Sequence, residues 1–113
     1  SSDLIYQLMR LVKYDDENAI YDLGLIFLSG KIDNKVVEGL ENYKNYEQAF
    51  MLFKKGSKLN CEKCLYQLGL MYHQGYHVEK NNQIAKDLFN QSAQMGYELA
   101  IKILNNASDY NLE

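Results

Sequence analysis

Apolar and small residues recur at steps of three and four over residues 64–75, the spacing of one helix face. The residues are Cys64, Leu65, Leu68, Gly69 and Tyr72. Gly75 favours a helix end, because a residue without a Cβ readily turns left-handed after the last helical turn. A second helix is predicted around Ala85, Phe89 and Ala93, where an aromatic residue lies between two small ones at intervals of four residues. Glycine inside a helix costs about 1 kcal/mol relative to alanine, so Gly69 indicates close packing of the two helices.

This helix pair occurs twice. One unit earlier, the first-helix pattern recurs at Ala19, Leu23, Gly24, Phe27 and Gly30, and the second-helix pattern recurs at Ala49, Phe53, Ser57 and Asn60. At each end of the chain, the residues of a single helix fit the spacing of one half of this helix pair. The repeats predict an all-α fold, a short right-handed α-solenoid of about six antiparallel helices. We expect one domain over residues 1–113, with units at about 17–60 and 61–96, capping helices at 3–14 and 97–107, and an inserted loop at 31–46.

At these positions the chain resembles the Sel-one-like repeat family, relatives of the tetratricopeptide solenoids. The family pattern is Ala-x-x-x-Leu-Gly-x-x-Tyr-x-x-Gly-x-Gly-Val, followed by Lys-Ala, an aromatic residue, alanine and Gly-x-x-x-Ala. Residues 64–100 match nearly throughout, with Val78 in place and His77 where the family usually has glycine. The first unit keeps the helix signatures and lacks the Gly-Val loop. The resemblance implies a protein-binding scaffold, usually without catalysis.

Composition narrows the function classes. The chain has 113 residues and a net charge of −3, and it lacks a stripe of basic residues. This argues against nucleic-acid binding, because a nucleic-acid backbone is recognised by basic side chains that contact its phosphates. No apolar run approaches the length of a membrane span. The N-terminal segment is interrupted by Tyr6, Gln7 and Arg10, so it is no signal-peptide core, and we expect a cytoplasmic protein. We also expect a monomer in the absence of its partner, no cofactor and no active site.

The loop at 31–46 has two interpretations. It is too apolar for a solvated linker, so it either folds back over the scaffold and buries its own residues or serves as a specificity loop. Tyrosine is enriched at protein interfaces. The candidate partner-binding residues are four tyrosines, Tyr43, Tyr46, Tyr76 and Tyr97, which lie outside the shared repeat pattern or at loop ends. Asp22, Glu38 and Glu41 are expected to add charge at the rim of the interface. The tail at 107–113 is expected to fray.

A possible metal or redox site comprises Cys61-x-x-Cys64 and His73-x-x-x-His77. Two thiolates and two imidazoles are a zinc ligand set. However, Cys64 takes the small buried position of the repeat, and His73 lies about 13 Å further along the same helix at 1.5 Å per residue. We therefore expect no bound metal, with Cys64 a small core residue and Cys61 a free thiol. A thiol-redox or zinc-binding role for Cys61 and Cys64 remains the alternative function.

No phosphate-binding glycine loop, nucleophile elbow or His-Glu-x-x-His motif is present. The sequence therefore predicts a non-enzymatic protein that binds another protein. Two roles fit equally: an adaptor within an assembly, or an inhibitor of the immunity type that neutralises a toxin.

Overall fold

The computed structural model describes residues 2–112, with side chains from residue 3 onward. In this range it has six α-helices: α1 (Ser2–Val12), α2 (Glu17–Ser29), α3 (Tyr46–Lys58), α4 (Glu62–Gln74), α5 (Asn82–Gln94) and α6 (Glu98–Asn105). A hairpin of β1 (Lys31–Ile32) and β2 (Lys35–Val36) and a 3₁₀-helix at Leu40–Tyr43 lie between α2 and α3. The chain divides into two compact units, Ser1–Leu59 (unit 1) and Asn60–Glu113 (unit 2). The predicted all-α fold with six helices is confirmed.

Unit 1 is built on α2, which packs against both α1 and α3. Helix α2 begins where Asp16 accepts a hydrogen bond from the Ala19 N–H at 3.0 Å. It ends at Gly30, whose φ of 73° is left-handed and therefore favours glycine. The core of this unit consists of Ile5, Leu8, Ala19, Leu23, Ile26 and Leu40.

Unit 2 is built on α5, which packs against both α4 and α6. Its core contains Ala85, Phe89 and Ile103. Ser92 is fully buried and donates its hydroxyl to the Glu62 carbonyl at 2.8 Å, so its polar group is satisfied.

The predicted packing of a small residue against an aromatic ring is present in both units. A Cβ placed on Gly24 would lie 2.5 Å from Cε1 of Phe53, and one on Gly69 would lie 2.6 Å from Cε1 of Phe89. Such distances are too short for any side chain, so both glycines are required by the neighbouring ring. The matching spacings in the sequence therefore correspond to the same contact in space.

The inserted loop contains secondary structure that its sequence did not predict. Asp33 and Asn34 both have positive φ, 49° and 65°, as a two-residue type I′ hairpin turn requires. Leu40 is fully buried in the core of unit 1. The Asn45 N–H also donates to the Phe27 carbonyl at 2.6 Å, which fixes the end of the loop to α2. The loop thus covers part of its own scaffold.

The prediction that the C-terminal tail frays is wrong for residues 107–112. Leu112 is only 1% exposed and belongs to the core of unit 2. The Leu112 N–H donates to the Ala107 carbonyl at 2.9 Å, and the Asn82 side-chain amide donates to the Asn111 carbonyl at 2.9 Å. One buried leucine and these hydrogen bonds hold the tail against the helices. The last tail residue, Glu113, lies outside the described residues.

Candidate protein-interaction surface

Helix α1 carries apolar side chains on more than one side. Ile5 and Leu8 are buried in the core of unit 1. Tyr6 and Met9, which alternate with them, are 68% and 50% exposed. A helix that packs on one neighbour needs only one apolar stripe, so the additional apolar side chains of α1 are not explained by the fold of unit 1.

A groove of about 430 Å³ lies beside this exposed side, and we call it the α1 groove. Its lining comes from three helices: Tyr6, Met9, Arg10, Val12 and Lys13 of α1 or its end, Leu23 and Phe27 of α2, and Gln48 and Leu52 of α3. The groove therefore runs between α1 and α3 over α2. Most of its lining residues are apolar, and Arg10 and Lys13 are exposed cationic side chains.

Two smaller depressions of about 340 Å³ extend this surface. One is lined by Ile5, Tyr6, Met9 and Tyr43, and the other by Gln7, Arg10, Leu11 and Tyr14. The first shares Tyr6 and Met9 with the α1 groove, and the second shares Arg10. The apolar surface of α1 therefore continues beyond the groove.

The end of α1 is tied to α3. Asp15 has a left-handed φ of 59° in the turn after α1, and its carboxylate lies 3.0 Å from the Lys55 ammonium. Both side chains are about half exposed, so this ion pair contributes at most about 1 kcal/mol. The ion pair joins the turn after α1 to α3, the two helices on either side of the α1 groove.

The Sel1 repeat family model matches residues 17–61 and 63–97, which together are more than half of the chain. The chain belongs to the Sel1 repeat family. The matched segments nearly coincide with the units predicted from spacing, 17–60 and 61–96. Sel1 repeats generally mediate protein–protein interactions and are typically non-catalytic. A search of curated proteins gave no match.

In this Sel1 repeat chain, the predicted partner-binding residues of unit 1 are dispersed. Tyr43 is half-buried against the core and lines a depression beside α1. Tyr46 is exposed in the first turn of α3, Asp22 is half-buried on α2, and Glu38 and Glu41 are exposed in the inserted loop. Of these five residues, only Tyr43 is brought to the surface described above.

The two candidates in unit 2 differ from each other. Tyr76 is exposed after the end of α4. Tyr97 is half-buried, and its ring packs edge-on against Tyr66 with centroids 5.5 Å apart. Burial raises the pKa of Tyr66, and the neighbouring Tyr110 raises it further. Tyr97 therefore has a packing role whether or not it also contacts a partner.

The sequence alone predicts α1 only as a capping helix and not as an interaction surface. The available signal was the apolar character of Tyr6, Met9 and Leu11 in addition to the inward residues. Such a pattern exceeds the stripe that one neighbouring helix can bury. The groove itself also needs side chains from α2 and α3, and their meeting is not visible in any one segment.

Cys61 and Cys64 are both buried, and neither forms a disulfide. Cys61 is the N-cap of α4, and its sulfur accepts a hydrogen bond from the Cys64 N–H at 3.4 Å. His73 is buried at the other end of α4, with Nδ1 2.9 Å from the Asn82 side-chain oxygen. Within residues 2–112, no three His, Cys, Asp or Glu side chains are grouped closely enough to hold a metal ion.

Every helix in the described part of the chain is too short or too polar to cross a lipid bilayer.

Proposed function

We propose that this Sel1 repeat chain is a non-catalytic protein-binding module and that its partner binds unit 1 at the α1 groove. The observation that carries the proposal is the exposed apolar surface of α1 beside a groove formed by three helices. An exposed apolar patch next to a concavity is characteristic of interaction sites. Tyr43 extends this surface, and Tyr46, Asp22, Glu38 and Glu41 are proposed as further contacts or rim charges.

Two roles remain proposals: an adaptor in a protein assembly, or an inhibitor of the immunity type that neutralises a toxin. An adaptor leaves its partner active and binds a third protein at the same time. An inhibitor forms a stoichiometric complex and abolishes the activity of its partner. We propose a cytoplasmic protein that is monomeric when unbound, and we include Tyr76 and Tyr97 as contacts from unit 2.

The test starts from the partner that co-purifies with the full chain at a stoichiometric ratio. Tyr6→Ala/Met9→Ala should weaken this complex by about tenfold or more, because aromatic and long apolar side chains commonly act as anchors. The matched control is Met95→Ala/Leu99→Ala, which truncates two similarly exposed apolar side chains in unit 2. Equal effects of the two double variants on the dissociation constant would contradict the placement of the site on α1.

The alternative is a thiol-redox or zinc-binding role. One observation favours the redox role: Cys61 is the N-cap of α4 and its sulfur accepts a hydrogen bond from the Cys64 N–H, and helix N-termini are a common position for reactive cysteines. Burial of both thiols opposes it, because exchange requires access to sulfur. We expect thiol titration of the native protein to be slow and metal analysis after chelator-free purification to show no stoichiometric zinc. Rapid formation of a Cys61–Cys64 disulfide with oxidised glutathione would favour the alternative.

A further inference from the structure

We propose that the occupant of the α1 groove is an amphipathic α-helix of a partner protein, with acidic residues beside its apolar anchors. This inference rests on the proposed protein-binding function and specifies the chemistry of the partner. It follows from the shape, polarity and charge of the groove lining.

The shape fits a helix. The α1 lining extends from Tyr6 to Lys13, a rise of about 10 Å or two helical turns. Leu23 and Phe27 form the floor, and the half-buried Leu52 lies on the α3 side. A helix laid between two others packs its side-chain ridges into such a groove, with anchors at i, i+3 or i+4, and i+7.

The polarity of the lining favours a helix over an extended peptide. The groove is formed by the sides of helices, whose backbone groups are already paired within each helix. An extended peptide would therefore lose water from its N–H and C=O groups without gaining a strand edge as partner. An α-helix satisfies these groups internally, so it can bury apolar side chains against Leu23 and Phe27 at lower cost.

The charge of the groove selects acidic residues. Arg10 and Lys13 are three residues apart at the end of α1 and so project from neighbouring positions on one side. Among the described residues that line the groove, Arg10 and Lys13 are the only charged ones. The whole chain has a net charge of −3, so this positive rim is a local feature. An acidic side chain on the occupant would pair with Arg10 through charge-assisted hydrogen bonds. Rim charges of this kind control association rate and selectivity.

The experiment uses the full chain and three labelled amphipathic peptides of about 18 residues with leucine at the anchor positions. Their flanking positions are all glutamate, all glutamine or all lysine. Fluorescence anisotropy gives the dissociation constants, and amide chemical-shift changes locate the bound peptide. We expect the glutamate peptide to bind about tenfold or more tightly than the glutamine peptide, with shifts confined to α1, α2 and α3. The preference should weaken as salt increases, because exposed charges are screened.

Two charge-reversal variants test the assignment. Arg10→Glu/Lys13→Glu should lose the preference for the glutamate peptide and prefer the lysine peptide. Lys31→Glu/Lys35→Glu makes the same change in net charge on the exposed hairpin, outside the groove, and should keep the preference. Both pairs are exposed, so circular dichroism and thermal melting should show that both variants fold. A loss of preference in both would assign it to overall charge and overturn the inference.

The remaining outcomes separate this inference from the proposed function. Equal binding of all three peptides at α1 would overturn the acidic preference and leave α1 as a protein-binding surface. Binding elsewhere would overturn both proposals. No binding of any peptide, with a co-purified partner that is still lost on Tyr6→Ala/Met9→Ala, would overturn only the helical acidic occupant. Sedimentation that shows a dimer disrupted by Met9→Ala would make a second copy of the chain the occupant and would also overturn it.

Discussion

The ring of Phe89 on α5 lies against Gly69 on α4, where a Cβ would be 2.6 Å from the ring carbon Cε1. The same relationship joins Phe53 on α3 to Gly24 on α2. Both phenylalanines are fully buried. The glycine in the first helix of each unit therefore makes room for the aromatic ring of the second helix, and this contact defines the repeat.

Gly69→Ala should lower the free energy of unfolding by about 1–3 kcal/mol, because the added methyl group forces Phe89 to move. Alanine is the better helix former, so a net loss can come only from the crowding. Chemical denaturation of the single variants and of Gly69→Ala/Phe89→Leu measures the coupling. If the smaller side chain at residue 89 does not relieve the loss, the Phe89 contact is not its cause.

This contact could be predicted from sequence because both of its partners belong to periodic helix patterns that occur twice in the chain. The spacing of Gly24 and Gly69 within their helices, and of Phe53 and Phe89 within theirs, is enough to identify the sides of the helices that face each other. The Leu112 contact could not be predicted in this way. The apolar residues of this short tail, Ala107 and Leu112, show no helical or strand periodicity, and only the packed surface of unit 2 gives Leu112 its buried position.

The hairpin in the inserted loop is an intermediate case. Asp33-Asn34 is a turn signal between Ile32 and Lys35, but strands of two residues are too short to show alternation. The sequence does not predict the α1 groove, for a different reason. Its floor and far side come from Phe27 and Leu52 on separate helices, and in the sequence each is an ordinary apolar residue of its own helix that gives no sign of the groove.

His77→Gly should raise the free energy of unfolding by up to about 1 kcal/mol. His77 has a left-handed φ of 67°, at the position where the family usually has glycine, and this conformation is unfavourable for residues with a Cβ. His77→Ala is the matched control, because it removes the imidazole and keeps the Cβ. Equal stabilisation by both variants in thermal melts would show that strain at residue 77 is not responsible.

Leu112→Ala should destabilise the protein by about 2–5 kcal/mol, the usual cost of truncating a fully buried leucine. Asp109→Ala changes an exposed residue of the same tail and should stay within about 0.5 kcal/mol of the parent. Hydrogen exchange at residues 107–112 provides an independent measurement. Rapid exchange there, together with a small effect of Leu112→Ala, would restore the prediction of a frayed tail.

The inserted loop should show different effects at three of its positions. Leu40→Ala should cost about 2–5 kcal/mol of stability, because Leu40 is fully buried in the core of unit 1. Val36 is 73% exposed, so Val36→Ala should change stability by less than about 0.5 kcal/mol. Tyr43→Ala should have an intermediate effect, since Tyr43 packs against the core and also lines a depression beside α1. Denaturation curves of the three variants distinguish these cases.

Binding measurements then decide whether the loop also contacts the partner. Tyr43→Ala/Tyr46→Ala should weaken the complex by about 2 kcal/mol or more if these residues are anchors. It should lose less stability than Phe53→Ala, which removes a fully buried ring. Tyr46 is the sharper probe, because it is exposed in the first turn of α3 and its truncation leaves the core intact. Should the double variant melt like Phe53→Ala while binding is unchanged, the loop would only cover the scaffold. The partner would then contact the helices alone, with Tyr6 and Met9 of α1 as its expected anchors.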